Sequence, residues 1–562
     1  MGILAIYDIT GIQNFIFSTP KLKEIIGASS LVADILEMYL PEILKEIAEA
    51  ENIKIVTEWA PLSNEEPAPD FQMVIDESVD AEILYIGGGN AWVAYKEESL
   101  YKRVHEILSL KILEKTYQLR LAGVGIATDF ADTKLKDGKS RYMRDSEELQ
   151  RALRLQKSRL IASGPAGGLS ITKRSVMTGQ PVVELEKEES TLLSRVQVLK
   201  RDRYEQVSNS EKDAVTEFDA FTLKGEDSLL AVAHIDGNNF GTSIGTFMKE
   251  YQAEYRTAIP AMRSLSYAIT NYYRSAMKRL AGTLNKALES KKFLPGIPED
   301  RRKILGSFRT IILNGDDITL VCNGRVALAL VKSLLKDLSV EPLKVVTRSP
   351  KQERVAQEIR VSACAGICYF PSHFPFSIAY RQAEDCCTQA KLQGRKKISS
   401  SADPEPDHRT HGSWVDFFVN ASGVPGDVED VLEQLARGKK DPSIGGRPYC
   451  VDISPETDKQ WLAFGTERSI ERFERLSVAF RSLPRGKSKS LRDALAGQGD
   501  AKAIMNHMVA NDHRLPDISV PGPEKSGTLI EDVAKAGTHS IYFDVLEMMD
   551  VFEIMPQEVS GI

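Results

Sequence analysis

Two short acidic segments carry the residue types best suited to chemistry in this chain. Asp316 and Asp317 follow Asn314-Gly315 between two apolar runs, R-T-I-I-L and I-T-L-V-C, a pattern typical of a β-hairpin turn. Asp236 closes a third apolar run, S-L-L-A-V-A-H-I-D. If these strands are neighbours, the three carboxylates meet at one edge of a sheet. They then form an oxygen-rich site suited to Mg²⁺ or Mn²⁺.

Each acidic segment also has a non-catalytic interpretation. The Asn-Gly-Asp-Asp turn could be a solvated hairpin, and Asp236 could cap a helix that follows its strand. The two segments together favour a metal site, because adjacent carboxylates repel one another unless a cation or water neutralises them. Two metal ions could then flank the α-phosphate of a nucleotide. One would activate a ribose 3′-hydroxyl and the other would stabilise the pyrophosphate leaving group.

A third segment, A-K-L-Q-G-R at residues 390–395, could bring positive charge to the same site. Lys391 lies late in a predicted helix and could reach back to a triphosphate, although ordinary capping of a helix C-terminus explains the same residues. By strand alternation, His234 shares a face with Asp236 and is either a proton acceptor or a polar filler. Three aromatic residues could stack an adenine or simply pack in the core: Tyr7, Trp92 and Phe240.

The elements that would position these residues fall into two similar halves. Hydrophobic periodicity in the first half predicts a strand, helix, strand, strand, helix and strand, with a glycine turn between the middle strands. The predicted elements are Gly2–Asp8, Leu31–Tyr39, two strands within 81–95, Tyr101–Lys115 and 121–128. The same order repeats over residues 228–391, with a polar insertion around Lys291–Arg302. Asp8 then aligns with Asp236, and the turn 87–90 aligns with 314–317.

We therefore predict an α+β fold with two tandem ferredoxin-like (βαββαβ) palm domains and a mainly helical C-terminal domain. The predicted limits are 1–185 for the first palm, 186–226 for a connector, 227–400 for the second palm and 401–562 for the helical domain. We expect the many charges of the connector to face solvent.

The composition of the whole chain narrows the function classes. The 562 residues carry a formal net charge of −7, so a surface that coats nucleic acid is excluded and any such site must be local. The six cysteines form no C-x-x-C pair, which argues against a zinc ribbon. Neither a signal peptide nor a membrane-spanning apolar run is present in the sequence, so we expect a cytoplasmic protein with no membrane partner.

The motifs together resemble the palm domains of nucleotide cyclases and of diguanylate cyclases, the GGDEF-like enzymes. The relevant segments are G-D-D at 315–317, D-G-N-N-F-G at 236–241 and A-K-x-x-G-R at 390–395. A closer resemblance is to the CRISPR polymerase family, the large subunit of type III CRISPR effector complexes, with two palms and a helical domain. D-I-T-G-I-Q-N-F-I-F at 8–17 and I-I-G-A-S-S-L-V-A-D-I at 25–35 are similar to the opening of its first palm. The resemblance covers most of residues 1–400 and is weak beyond them.

The resemblance implies that the second palm makes cyclic oligoadenylate second messengers from ATP in antiviral defence. Asp236, Asp316 and Asp317 would bind metal and catalyse. The residues implied to approach the phosphates are Gly237, Asn238, Asn239, Phe240, Gly241, Gly315 and Lys391. The first palm would bind the acceptor nucleotide through the loop 11–14 and a nearby pair, with Gly11, Gln13, Ser29 and Ser30 as the contacts. Its own turn lacks carboxylates, so we expect no catalytic metal there.

The chain departs from the family pattern in three ways. Asn314 replaces the first glycine of the usual G-G-D-D, which the turn should tolerate. No His-Asp dipeptide occurs, so we predict no DNase activity, and segment 160–183 has no cysteine for a zinc ion between the palms. Partners would be crRNA, target RNA and other effector subunits, although the sequence leaves open whether the chain works alone. Alternatives are a cyclic dinucleotide or mononucleotide cyclase and a non-catalytic RNA-binding scaffold.

Overall fold

The computed structural model describes residues 2–131, 140–160, 169, 171–186, 190–208, 215, 217–223, 229–290, 292–396, 409–420, 423, 426–428, 446–454, 457, 459–518 and 529–555. Parts of the predicted connector 186–226, and of the segment 160–183 in which we expect no zinc ligand, lie outside these residues.

The first palm is a five-stranded sheet in the order β2-β3-β4-β1-β5. Its strands are β1 (Gly2–Thr10), β2 (Lys54–Val56), β3 (Val79–Gly87), β4 (Asn90–Tyr95) and β5 (Arg120–Thr128). β1 is antiparallel to both β4 and β5, while β2 is parallel to β3 at the edge. Without β2, this is the strand order of a ferredoxin-like unit, as predicted.

Helices cover the first sheet on both faces. They are α1 (Ile12–Phe17), α2 (Leu22–Asp34), α3 (Leu40–Glu51), α4 (Gln72–Ile75), α5 (Glu98–Thr116) and α6 (Arg141–Arg159). The predicted helix Leu31–Tyr39 is the middle of a longer helical run, because a π-helical turn at Ile35–Tyr39 joins α2 to α3. The segment after β1 was expected to be a loop. It is instead a short helix that begins after Gly11, whose φ of 82° suits glycine.

The connector is more structured than its charge pattern suggests. Helix α7 (Arg195–Ser208) follows the two-stranded sheet of β6 (Val182–Glu186) and β7 (Thr191–Ser194) and packs against α2. Lys200 and Arg201 are buried, and Arg201 forms an ion pair with Glu24 at 2.7 Å. The expectation that these charges face solvent is therefore wrong for Lys200 and Arg201, although Arg195, Asp202 and Glu205 of the same helix are exposed. The buried Glu24 on α2 offsets the cost of burying Arg201.

The second palm repeats the ferredoxin-like order and extends it. Its sheet has the order β15-β14-β13-β8-β10-β9. Its strands are β8 (Leu229–Gly237), β9 (Phe308–Asn314), β10 (Asp317–Asn323), β13 (Ala363–Pro371), β14 (Ser413–Val419) and β15 (Tyr449–Asp452), and a separate hairpin pairs β11 (Leu343–Arg348) with β12 (Arg354–Ile359). The sheet thus continues past residue 400, into the segment that we expected to be mainly helical.

One long helix of the second half, α9 (Tyr255–Glu289), lies between the two sheets. The helices of this half are α8 (Phe240–Met248), α9, α10 (Glu299–Leu305), α11 (Gly324–Val340) and α12 (Phe376–Gly394). α9 contacts both β3 of the first palm and β11 of the second. It therefore acts as the main packing element between the two halves.

β1 and β8 are continuous apolar runs because both faces of each strand are buried. Leu4 and Ile6 of β1 face the core shared with α9, whereas Ala5 and Tyr7 face a second core on the opposite side. β8 divides its residues in the same way. A strand buried on both faces has no polar side, so it loses the usual apolar and polar alternation.

The C-terminal part of the chain is a cluster of short helices, as predicted. They are α13 (Lys459–Glu467), α14 (Ile470–Arg481), α15 (Arg485–Leu495), α16 (Ala501–Ala510), α17 (Leu529–Ala536) and α18 (Ile541–Met548). α14 contacts β15, which continues the second sheet into this cluster. Among the helices of the described residues, none has the length and apolar character required to span a membrane.

Candidate functional site

The predicted acidic residues meet at one end of the second sheet. Asp236 of β8 lies directly opposite Asp317 of β10, and Asn314 of β9 lies opposite Asp317 on its other side. The two residues between the hairpin strands are Gly315, at a φ of 59°, and Asp316. The turn therefore uses Gly-Asp rather than the Asn-Gly pair that the sequence suggested, and Asn314 belongs to the strand.

The glycine after Asp236 allows the carboxylates to approach. A Cβ atom on Gly237 would lie 2.5 Å from the Phe240 ring and 2.8 Å from Cβ of Asp316. Any larger residue would push the turn away from the end of β8. Gly237 thus allows Asp316 to lie close to the end of β8.

Burial and mutual repulsion make the carboxylates of this cluster costly to ionise, and the Lys391 charge offsets only part of that cost. Burial, followed by the charges of Asp236 and Asp316, raises the pKa of Asp317 to about 7. Burial and Asp236 also raise the pKa of Asp316. The Asp317 side chain is 42% exposed as a whole, but its Oδ1 atom is buried and has no hydrogen-bond partner, so burial acts on this oxygen. A carboxylate group with these properties is suited to receive a cation or a proton.

His234 faces the same group, as strand alternation predicts. Its Nδ1 lies 3.3 Å from Oδ1 of Asp317. Burial lowers the pKa of His234 to about 4, so the imidazole is neutral at neutral pH. The side chain is largely buried, which favours the polar-filler interpretation over a solvent-linked proton acceptor.

Lys391 reaches the cluster from α12. Its Nζ lies 2.6 Å from Oδ2 of Asp236. The first palm contains the same pair, because Nζ of Lys157 on α6 lies 2.6 Å from Oδ2 of Asp8 on β1. Lys157 was missed from the sequence. The signal that could have found it is the expectation that Asp8 and Asp236 are equivalent, extended to the helix after the last strand.

The loop 237–241 is anchored to the segment that precedes β14. The Asn239 amide exchanges two hydrogen bonds of 2.9 Å with the backbone of Thr410. Asn238 donates to the Gly412 carbonyl at 3.0 Å and to Ser362 Oγ at 3.1 Å. These side chains hold the shape of the loop, while Gly241 has open space where a Cβ atom would be.

The glycine turn of the first palm touches the acidic turn of the second. A Cβ atom on Gly315 would lie 3.7 Å from Cα of Gly88, and one on Gly89 would lie 3.3 Å from Nδ2 of Asn314. The two equivalent turns are therefore adjacent, and the carboxylates lie at the junction of the palms.

The residues predicted to contact an acceptor nucleotide have partners within the protein. Ser29 Oγ donates to the Ile311 carbonyl of β9, and Ser30 Oγ donates to the Ile26 carbonyl within α2. Gln13 Nε2 donates to Oε1 of Glu384 on α12 at 2.7 Å. Ser29 and Gln13 thus join the first palm to the second, a role that the sequence did not suggest.

Each aromatic candidate has a packing partner within the protein. Tyr7 is fully buried and its hydroxyl lies 2.8 Å from that of Tyr95. Trp92 is buried and stacks on Tyr85. Phe240 packs near Tyr273, with ring centroids 6.0 Å apart.

The residues of the cluster fit a hard divalent cation in part. Within the described residues, no three His, Cys, Asp or Glu side chains are arranged to hold a metal ion by themselves. Mg²⁺, however, commonly takes one or two carboxylates and completes its shell with water and substrate phosphates. The unpartnered oxygen of Asp317 and the carboxylate of Asp236 opposite it match that donor set.

Comparison with known proteins gives similarity of structure only. No protein-family model and no curated protein sequence matches this chain. A Csm1–Csm4 cassette in complex with cA4 is similar over 98% of this chain and 69% of its own, with a TM-score of 0.48 at 11% identity. The apo Csm1–Csm4 cassette has the same coverage, a TM-score of 0.47 and 12% identity.

Csm1 in T. onnurineus is also similar, over 98% of this chain and 70% of its own, with a TM-score of 0.44 and 13% identity. Since all three TM-scores lie below 0.5, we base the functional proposal on the residues of this chain.

Proposed function

We propose that this chain is a nucleotidyltransferase that joins ATP molecules into cyclic oligoadenylate, in a type III CRISPR-like antiviral defence. The observation that carries the proposal is the pairing of Asp236 with Asp317 beside Asp316, at the junction of two palms. Burial, followed by the charge of Asp236, raises the pKa of both Asp316 and Asp317, so ionising this cluster costs stability beyond what Lys391 offsets, and a bound cation would reduce that cost. Two-metal phosphoryl transfer is the chemistry that uses such a cluster.

The second palm would supply the reacting end of the site. Asp236, Asp316 and Asp317 would hold Mg²⁺ or Mn²⁺, which when bound activates a 3′-hydroxyl and stabilises the pyrophosphate leaving group. Lys391 lies 2.6 Å from Asp236 and 3.4 Å from the Gly237 carbonyl, close to the phosphate-approaching loop. Its ammonium group would exchange Asp236 for a phosphate oxygen when ATP enters.

The first palm would hold the acceptor nucleotide and perform no chemistry. Its Asp8–Lys157 pair repeats the Asp236–Lys391 pair, but its turn carries Gly88 and Gly89 where the second palm has Gly315 and Asp316. A site with the lysine but without the turn carboxylates can bind a phosphate and cannot hold two metal ions. Guide RNA, target RNA and other effector subunits remain proposed partners, and the cytoplasm remains the proposed location.

The test is incubation of the purified chain with ATP labelled at the α-phosphate and with Mg²⁺ or Mn²⁺. Products are treated with phosphatase and separated by chromatography. We expect a phosphatase-resistant oligoadenylate that disappears in Asp316→Ala/Asp317→Ala. A matched control is Glu147→Ala/Glu148→Ala, which removes two adjacent exposed carboxylates from α6 and should retain the product.

The other outcomes separate the alternatives. A cyclic mononucleotide or dinucleotide as the only product would identify a cyclase instead. No product from the chain alone, or with guide RNA, target RNA and partner subunits, would contradict the proposal and favour a non-catalytic scaffold.

A further inference from the structure

Helix α1 of the first palm is docked on α12 of the second palm, the helix that carries Lys391. The Phe17 ring stacks on the Tyr380 ring, with centroids 4.1 Å apart. One oxygen of Glu384, Oε1, accepts hydrogen bonds from both palms. Gln13 donates to it at 2.7 Å and the Tyr380 hydroxyl donates at 3.1 Å.

Tyr380 also connects this contact to the acidic cluster. Its ring meets the His234 ring edge-on, with centroids 5.7 Å apart and an interplanar angle of 77°. Nδ1 of His234 lies 3.3 Å from Oδ1 of Asp317, a packing contact in which neither atom forms a hydrogen bond. Tyr380 and His234 are both buried, so neither ring can move without displacing its neighbours.

The opposite side of α1 is fixed to the connector. Nζ of Lys200 on α7 donates to the Phe15 carbonyl and, at 2.9 Å, to Ser18 Oγ. The same ammonium lies 4.5 Å from the centre of the Phe15 ring. α1 is therefore held by α7 on one side and meets α12 through the buried Phe17 ring and the exposed Gln13 amide.

We propose that Gln13, Glu384 and Tyr380 are positioning residues, which hold His234 and thereby Asp317 in place only when the two palms are docked. This inference rests on the proposed function and assigns Gln13 a role between the palms instead of a nucleotide contact. The first palm would then control the metal-binding geometry of the second, although it contributes no carboxylate to the cluster.

The test exchanges the donor and acceptor of the cross-palm hydrogen bond. Gln13→Glu places two carboxylates at hydrogen-bond distance, whereas Gln13→Glu/Glu384→Gln restores a single amide–carboxylate pair with its direction reversed. We expect kcat for oligoadenylate synthesis to fall about tenfold in the single variant, less than the roughly hundredfold cost of a full 1 Å misplacement of a reacting group. The double variant should recover most of this loss, and KM for ATP should change little in either protein.

Two outcomes of the kinetic test would overturn the inference. One is a single variant with unchanged kcat. The other is a loss that the exchange does not rescue, which is the result expected if Gln13 contacts the nucleotide directly. Tyr380→Phe is a further control, because it keeps both ring contacts and removes only the hydroxyl, so its kcat should lie between those of the wild type and of Gln13→Glu.

A second readout does not require any catalytic activity. Hydrogen–deuterium exchange on the full chain should show faster exchange in Gln13→Glu at 376–394 and at the strand ends 234–237 and 315–319. The double variant Gln13→Glu/Glu384→Gln should return the exchange rates of all three segments to those of the wild type. Unchanged rates at the strand ends would refute the positioning role, even if the wild-type protein made no oligoadenylate and the proposed function had failed.

Discussion

Replacement of Arg263 by methionine should weaken the packing of α9 against the first palm. Arg263 projects from α9 into the first palm and is fully buried. Its guanidinium forms an ion pair with Glu82 at 2.7 Å. It also donates to four backbone carbonyls at 2.7–3.0 Å, those of Pro69, Asp70, Ile83 and Leu84. All of these partners belong to the first palm, so one side chain ties α9 to β3 and to the segment before it.

The expected loss follows from the buried charge that remains. Removing one partner of a buried ion pair costs about 3–5 kcal/mol, because the other charge is left in a low-dielectric environment. Two backbone amides, those of Gln72 and Met73, still donate to Glu82 and limit the loss to this range. Arg274 is a matched control on the same helix, since its ion pair with Glu37 is exposed and is worth about 0–1 kcal/mol.

The assay is urea unfolding followed by circular dichroism, together with the rate of oligoadenylate synthesis below the transition. Arg263→Met should lower the free energy of the first unfolding transition by about 3–5 kcal/mol and Arg274→Met by less than about 1 kcal/mol. Synthesis should fall with Arg263→Met because the acidic cluster lies at the junction that Arg263 supports. Equal stability of the two variants would refute this account of the interface.

Three further predictions concern charge. The folded-state pKa of Asp317 is about 7, above its ordinary 3.8, so the metal-free protein should lose stability as pH rises from 3.8 to 7. In thermal-shift data, Mn²⁺ should therefore raise Tm more at pH 8 than at pH 6. This difference between the two pH values should vanish in Asp317→Asn. Lys391→Met should raise KM for ATP about tenfold or more in steady-state kinetics, since it removes a charged donor to phosphate. Arg447→Met should cost about 3–5 kcal/mol in urea unfolding, and more at pH 8 than at pH 6. The reason is that burial raises the pKa of both Asp416 and Glu547 to about 7 despite the Arg447 charge, so both can take up protons at the lower pH.

The local features of the site could be predicted from the sequence, because they follow from strand alternation and turn chemistry. Asp236 and Asp317 were expected at neighbouring strand ends, and β8 pairs them directly. The turn lies one residue later than the predicted Asn314-Gly315 turn. Asn314 and Gly315 both favour a turn, and only the pairing of Asn314 with Asp317 shows that Asn314 belongs to the strand.

Features that depend on contacts distant in sequence could not be predicted. Gln13 and Glu384 are 371 residues apart, and nothing local marks them as partners. Lys200 and Arg201 have the pattern of an exposed charged helix, and only the acceptors on α1 and α2 explain their burial. The residues of β14, S-W-V-D-F-F-V, favour a strand locally, and what the sequence did not show is their parallel pairing with β13 across the predicted boundary at residue 400.

The most direct test of the central claim compares equivalent residues in the two palms. Pyrophosphate release from ATP would be measured for the wild type, Asp236→Asn and Asp8→Asn, at saturating Mn²⁺. The account predicts that Asp236→Asn abolishes release, whereas Asp8→Asn retains the chemistry and changes only the dependence on ATP concentration. Full activity of Asp236→Asn, or equal loss in both variants, would contradict the assignment of catalysis to the second palm.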